Sequence, residues 1–187
     1  MTNADEFKSL LRHYVHRSGV EDMIHVLENS DFFIAPASTR FHGSYQGGLV
    51  EHSISVFNNL MNLREGIDRL SETSEESIAI VSLLHDVCKT GYYKVDYRNA
   101  KNERGQWEKV PYYTIDDKFP YGHGEKSVIM IQECMKLTTE ELMAIRWHMS
   151  GFEPTENYSY MSKAYEMFPL CTCLSSADML ATYVDKM

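Results

Sequence analysis

Residues 75–88 are the most apolar stretch of the chain, and they close on a histidine and an aspartate. Ile78, Ile80, Val81, Leu83, Leu84 and Val87 cover nearly the whole circumference of a helix. A helix that is apolar all round has to be buried on every side. The spacing therefore predicts a central helix over 75–88, ended by Gly91, with other elements packed around it. His85 and Asp86 fall at its end. An ionised carboxylate there is costly unless a salt bridge, a helix end or a metal replaces its lost water.

The remaining sequence supplies the neighbours. Residues 4–17 and 21–28 read as two short amphipathic helices split at Gly19, and 31–47, with Pro36, Gly43 and Gly47, as an ordered loop. A long helix is expected from about Leu49 to Leu70. Its two apolar stripes, Val50-Ile54-Phe57-Met61 and Leu49-Val56-Leu60-Leu63, call for partners on both sides. Further helices are expected at about 122–136, at 139–150 behind the capping sequence Thr138-Thr139-Glu140-Glu141, and at 162–185. In the last, Pro169 either starts the main part or kinks it. Between them, 92–97 and 107–115 are rich in aromatic and β-branched residues and read as a β-hairpin joined by 99–105, with Pro111 marking an edge strand. The fold class is thus mostly α, a helical bundle with a small hairpin insertion around 92–115. The 187 residues suit one domain, 1–187, with its core at about 30–180.

Net charge is −9. Grip on long nucleic acid comes from neutralising phosphates, so this balance argues against duplex binding while leaving small nucleotides open. Cys88, Cys134, Cys171 and Cys173 lack zinc-finger spacing and lie in helical patterns, which suits reduced core cysteines and a cytoplasmic location. Met1 to Glu6 has no basic end followed by an apolar run, and no apolar stretch approaches the ~20 residues of a membrane span.

The conflict at Asp86 recurs elsewhere. Asp178 shares a face with Leu174, Ala177 and Ala181, His52 lies between Leu49 and Val56, and His148 follows Ile145 by three residues. Each alone is ordinary for a core: a satisfied histidine, or a paired or capping aspartate. Together, two carboxylates and several imidazoles on the inner faces of separate helices make a plausible divalent-metal cage.

The order His52, His85-Asp86, Asp178 resembles the HD-domain phosphohydrolases, and His123 and His148 fit the extra histidines of two-metal members. Phe33-Ile34-Ala35-Pro36-Ala37, Arg40-Phe41-His42 and Gly47-Gly48-Leu49-Val50-Glu51-His52-Ser53 look like the HD domain of bacterial 3′-to-5′ exoribonucleases. So does His85-Asp86-Val87-Cys88-Lys89-Thr90-Gly91. The chain has no room for those enzymes' nucleic-acid-binding barrel. A single His42 also stands where two histidines are usual.

The resemblance implies a metal-dependent phosphohydrolase that cleaves a small nucleotide or short oligonucleotide through a metal-activated hydroxide. Nucleoside 5′-monophosphatase and non-catalytic nucleotide-binding module are the alternatives. It implies one or two divalent ions (Mn, Fe, Co, Ni, Zn or Mg) on His52, His85, Asp86, His123, His148 and Asp178, with Asp86 bridging. Lys89, one turn past Asp86, is expected on the substrate phosphate, or else solvated at the helix end. Arg40, His42 and Lys126 are further candidates for phosphate or sugar contacts, Lys126 and Arg146 being equally readable as ordinary surface residues. The hairpin aromatics Tyr92, Tyr93, Trp107, Tyr112 and Tyr113 are expected to pack the hairpin onto the bundle, with a stacking wall for a base as the alternative. Neither a membrane nor a duplex partner is expected.

Overall fold

A computed structural model describes residues 1–40 and 42–185. Phe41, part of the motif around His42, lies outside the described residues. In chain order the helices are α1 (Asn3–Tyr14), α2 (Val20–Glu28), α3 (Gly48–Gly66), α4 (Asp68–Ser71) and α5 (Glu75–Leu84). Strands β1 (Tyr93–Lys101) and β2 (Trp107–Ile115) follow, then α6 (His123–Gln132), α7 (Thr139–Trp147), α8 (Tyr158–Met167) and α9 (Pro169–Tyr183).

The apolar circumference of α5 is buried as its sequence demands: Ile78 through Leu84 are solvent-free. α1, α3 and α7 pack on it, and α9 lies against both α3 and α7. That sandwiching explains the two stripes of α3, whose Leu49, Val50, Val56 and Leu60 are all in the core. Ser74 caps α5 by accepting from the Ser77 N–H, and the expected capping box forms at α7 between Thr138 and Glu141.

Most of the expected helices are shorter than the periodicity suggested. The central one stops at Leu84, because Asp86 leaves the helical region (φ −107°, ψ 17°) and Val87–Lys89 form a short 3₁₀ turn. The 49–70 helix breaks at Ile67 (φ −122°, ψ 107°) into α3 and α4. The 162–185 helix is two: Pro169 disfavours helical backbone at Phe168, which is extended (φ −124°, ψ 101°), and starts α9 afresh as its first residue. The α1 pattern likewise ends early, at Tyr14, and α6 at Gln132.

β1 and β2 pair antiparallel from Tyr93↔Ile115 to Lys101↔Trp107. Asn102 closes the turn, its side-chain oxygen accepting from the N–H groups of Arg104 and Gln106. Only two strands form this sheet, so Pro111 sits on an edge as expected. The expected packing of the aromatics onto the bundle is corrected at the outer hairpin, where Trp107 is 70 % exposed and Tyr97 62 %. The inner end alone is anchored, by a bond from the Tyr93 hydroxyl to the Ala37 carbonyl.

One buried ionic knot ties the first connection to the bundle. Arg17 donates from both terminal nitrogens to Glu141 (2.7 and 2.8 Å) and from one to Glu76 (3.1 Å). Glu141 is solvent-free and also accepts from the Ser77 hydroxyl and the Thr138 N–H. All four cysteines are free thiols. No helix among the described residues is long and apolar enough to cross a membrane.

Candidate metal centre

Five separate helices or helix ends bring the expected ligands together. His52 comes from α3, His85 and Asp86 from the end of α5, and His123 from the first position of α6. His148 comes from the end of α7, and Asp178 from α9. Two glycines allow the close approaches this needs. A Cβ on Gly124 would lie 2.3 Å from the Arg146 carbonyl oxygen, so α6 can lie against α7 and set the His123 and His148 rings 5.3 Å apart. A Cβ on Gly48 would lie 2.0 Å from the Gly43 carbonyl oxygen, so the loop can fold over the start of α3 and put His42 4.7 Å from the His52 ring.

Asp86 is the hub, 2 % exposed, and its two oxygens serve different halves of the cluster. Oδ1 lies 2.7 Å from His123 Nε2 and 3.6 Å from His148 Nε2. Oδ2 lies 2.6 Å from Lys89 Nζ, 3.4 Å from His85 Nε2 and 3.8 Å from His52 Nε2. Asp178 Oδ1 is 3.1 Å from His52 Nε2. Among the described residues, three ligand triads fall within 4.8 Å: His52-His85-Asp86, Asp86-His123-His148 and His85-His148-Asp178.

The local fold also sets which imidazole atoms face inward. His85 and His148 each stand at a helix C-terminus, where the last carbonyls have no intrahelical partner. His85 Nδ1 donates to the Ser82 carbonyl (2.8 Å), and His148 Nδ1 to the Ile145 carbonyl (2.6 Å). A carbonyl can only accept, so Nδ1 carries the proton, and a neutral ring then keeps a lone pair on Nε2. Both Nε2 atoms are buried without a hydrogen-bond partner, and so is His52 Nε2, which lies near Asp178 but outside hydrogen-bonding geometry. Buried polar atoms are nearly always satisfied. Two lone-pair nitrogens and the unpartnered His52 Nε2, converging on two carboxylates, fit a divalent cation, and ordering of imidazole by backbone carbonyls is typical of metal-binding histidines.

Burial opposes ionisation of both aspartates, yet both remain well below the usual carboxylate range. For Asp86 the Lys89 ammonium, the neighbouring His85 and the bond to His123 outweigh burial; for Asp178 the His52 imidazole does. Burial likewise works against the Lys89 ammonium, but Asp86 holds it charged. Burial lowers His42 to about 4, keeping its ring neutral.

The other expected site residues are spread more widely. Lys89 points into the cluster rather than into solvent. His42 stacks beside His52, with both nitrogens buried and unpartnered. Arg40 is exposed and lines a cleft below the hairpin. Lys126 is 6 % exposed, not a surface residue; it pairs with Asp117 (2.9 Å) over the Tyr92 ring, off the ligand cluster. Arg146 is engaged by Glu125 and Glu153. Sequence reasoning missed Cys88, whose sulfur lies 3.4 Å from His123 Nε2, and the two helix-end carbonyls. The carbonyls had a readable signal, a histidine at the predicted end of a helix.

The sequence model of the HD domain family matches residues 49–183, most of the chain. Among curated proteins, the chain is 30 % identical over 84 residues to a dihydroneopterin 2′,3′-cyclic phosphate phosphodiesterase from Methanocaldococcus jannaschii. The aligned stretch is 44 % of this chain and 31 % of that relative, so the chain spans about a third of the relative's length. No solved structure matches the chain.

Proposed function

The chain belongs to the HD domain family, and on that footing we propose that it hydrolyses a phosphate ester of a small nucleotide or short oligonucleotide with divalent metal. The carrying observation is the set of buried, unpartnered Nε2 atoms of His52, His85 and His148 facing the two oxygens of Asp86. His52, His85, Asp86 and Asp178 would hold one ion; His123 and His148, with Asp86 shared, would hold a second. When bound, such ions make water acidic enough to attack at neutral pH and offset phosphoryl charge.

The chain's own groups do the rest. Asp86, kept ionised, joins the two halves of the site. The carbonyls of Ser82 and Ile145 fix the rings of His85 and His148 so that no reorganisation is needed on binding. Lys89 stays charged beside Asp86 and is the donor placed to hold a phosphoryl oxygen. The diester chemistry named for the archaeal relative supports a phosphodiesterase, and the exoribonuclease-like motifs at 33–53 support a nucleotide substrate. The acidic chain supports exclusion of duplexes, and its free cysteines support a cytoplasmic location.

The test is hydrolysis of p-nitrophenyl phosphate and bis(p-nitrophenyl) phosphate with added Mn. Turnover that needs metal and favours the diester is expected. Metal bound with neither ester cleaved, under any divalent ion, would overturn the reading and leave a binding module.

A further inference from the structure

A cleft of about 860 Å³ opens between the 39–46 loop and the hairpin, outside the ligand cluster. Its walls include Arg40 and Tyr45 from the loop and Val95, Arg98, Tyr112 and Tyr113 from the strands. It is far larger than a phosphate group and falls in the range of small-molecule sites, about 300–1,000 Å³.

The cleft adjoins the candidate metal centre through two covalent connections. Arg40 is two residues from His42, whose ring stacks beside His52. β1 begins four residues after Lys89, and its first residue, Tyr93, is bonded to the Ala37 carbonyl of the same loop. The loop that carries His42 therefore also forms one wall of the cleft, although no residue of the ligand cluster lines it.

The lining states what the cleft can hold. In a chain of net charge −9, Arg40 and Arg98 have no carboxylate within ion-pair distance among the described residues, as is also true of Arg69 and Arg104, but Arg40 and Arg98 line one cleft. Two exposed guanidinium groups on one cleft can receive an anion. The Arg98 guanidinium lies over the Tyr112 ring, 5.4 Å from its centroid, so a flat cation is already stacked on a flat aromatic. In the pleat, Val95 and its cross-strand partner Tyr113 lie on the opposite face from Arg98 and Tyr112, so the cleft takes residues from both faces of the hairpin. Apolar and aromatic walls with flanking cations suit a heteroaromatic ring carried by an anionic ester.

We propose that the cleft between the 39–46 loop and the hairpin is the base-binding half of the substrate site, with Arg98 and Tyr112 stacking the heterocycle of a nucleotide and Arg40 neutralising its phosphate side. This rests on the phosphohydrolase reading for the nucleotide and the place of its phosphate, and adds the residues that would hold its base. Free nucleotides and the end of a short oligonucleotide share this chemistry.

Calorimetric titration of the full chain in chelator, where nothing turns over, compares ribose 5-phosphate with the four ribonucleoside 5′-monophosphates and a dinucleotide. At least one base-bearing ligand should bind about tenfold tighter than ribose 5-phosphate, which lies within the range for stacking one base on aromatic side chains. Whether the monophosphate or the dinucleotide leads identifies the source. The double change Arg98→Ala with Tyr112→Ala should erase the preference. Arg98→Ala alone, at an exposed position, should cut it by about threefold or more. No preference in the unaltered chain, or a preference that survives in these variants, overturns the proposal. Mn-dependent cleavage of p-nitrophenyl phosphate is read separately, so either reading can fail without the other.

Discussion

Two clusters of charged side chains are buried in this bundle, one around Glu141 and one around Asp86, and they are built on opposite terms. At Glu141 every acceptor is used. Arg17 meets both carboxylate oxygens, and the Ser77 hydroxyl and Thr138 N–H complete them. At Asp86 only Lys89 and His123 lie within hydrogen-bond reach, while three imidazole nitrogens look inward with nothing to accept from. Both are about equally buried. Burial of charge therefore says little by itself; the matching of donors to acceptors separates an ionic knot that holds the fold from a cluster that could hold a cation.

The largest expected effect breaks the first cluster. Arg17→Ala strands a solvent-free carboxylate, which costs about 3 kcal/mol and lowers the thermal midpoint by roughly 6–12 °C. Turnover of p-nitrophenyl phosphate at 25 °C stays within about twofold, because Arg17 is remote from the ligands. Replacing the pair together, Arg17→Met with Glu141→Leu, should recover most of the loss. If Arg17→Ala instead abolished metal-dependent turnover in folded protein, the two clusters would not be separable.

A change in the second cluster should show the reverse pattern. Lys89→Met is expected to reduce kcat/KM by about 10²-fold, the scale for losing one preorganised donor, while metal content is retained. A melting point lowered as far as in Arg17→Ala, with kcat/KM intact, would make Lys89 structural.

The smallest effect is a pH dependence at Glu76. Burial raises its carboxyl pKa, but the His16 N–H and the Arg17 groups outweigh it and hold it below the ordinary glutamate value. A depressed folded pKa stabilises above the unfolded value and is lost as pH falls through the folded one. The stability gap between the parent and Glu76→Gln should therefore be full at neutral pH and close as pH drops below about 4.5. A gap that widens in acid would contradict the assigned contacts.

Much of this was legible in the sequence, for physical reasons. All-round apolarity marked α5, paired stripes marked α3 between two neighbours, and polar residues misplaced on apolar faces marked His52, His148 and Asp178. Helix ends were less legible: periodicity cannot see the break at Asp86, where backbone dihedrals change while the apolar pattern runs on through Val87. The hairpin was found by composition, but whether its aromatics face the bundle or solvent depends on how the insertion leaves the core, which alternation alone does not encode. Lys126 was unreadable because its partner Asp117 lies in an irregular loop. The role of Arg17 was equally hidden, since its contacts span more than a hundred residues of sequence.

The central claim is that the unpartnered nitrogens around Asp86 exist to hold a divalent ion. Equilibrium dialysis of the purified chain against Mn, followed by elemental analysis, tests it directly beside Asp86→Ala. The account predicts about one or two ions per chain in the parent and nearly none in folded Asp86→Ala. A parent that takes up no metal, or a variant that binds as much as the parent, would contradict it.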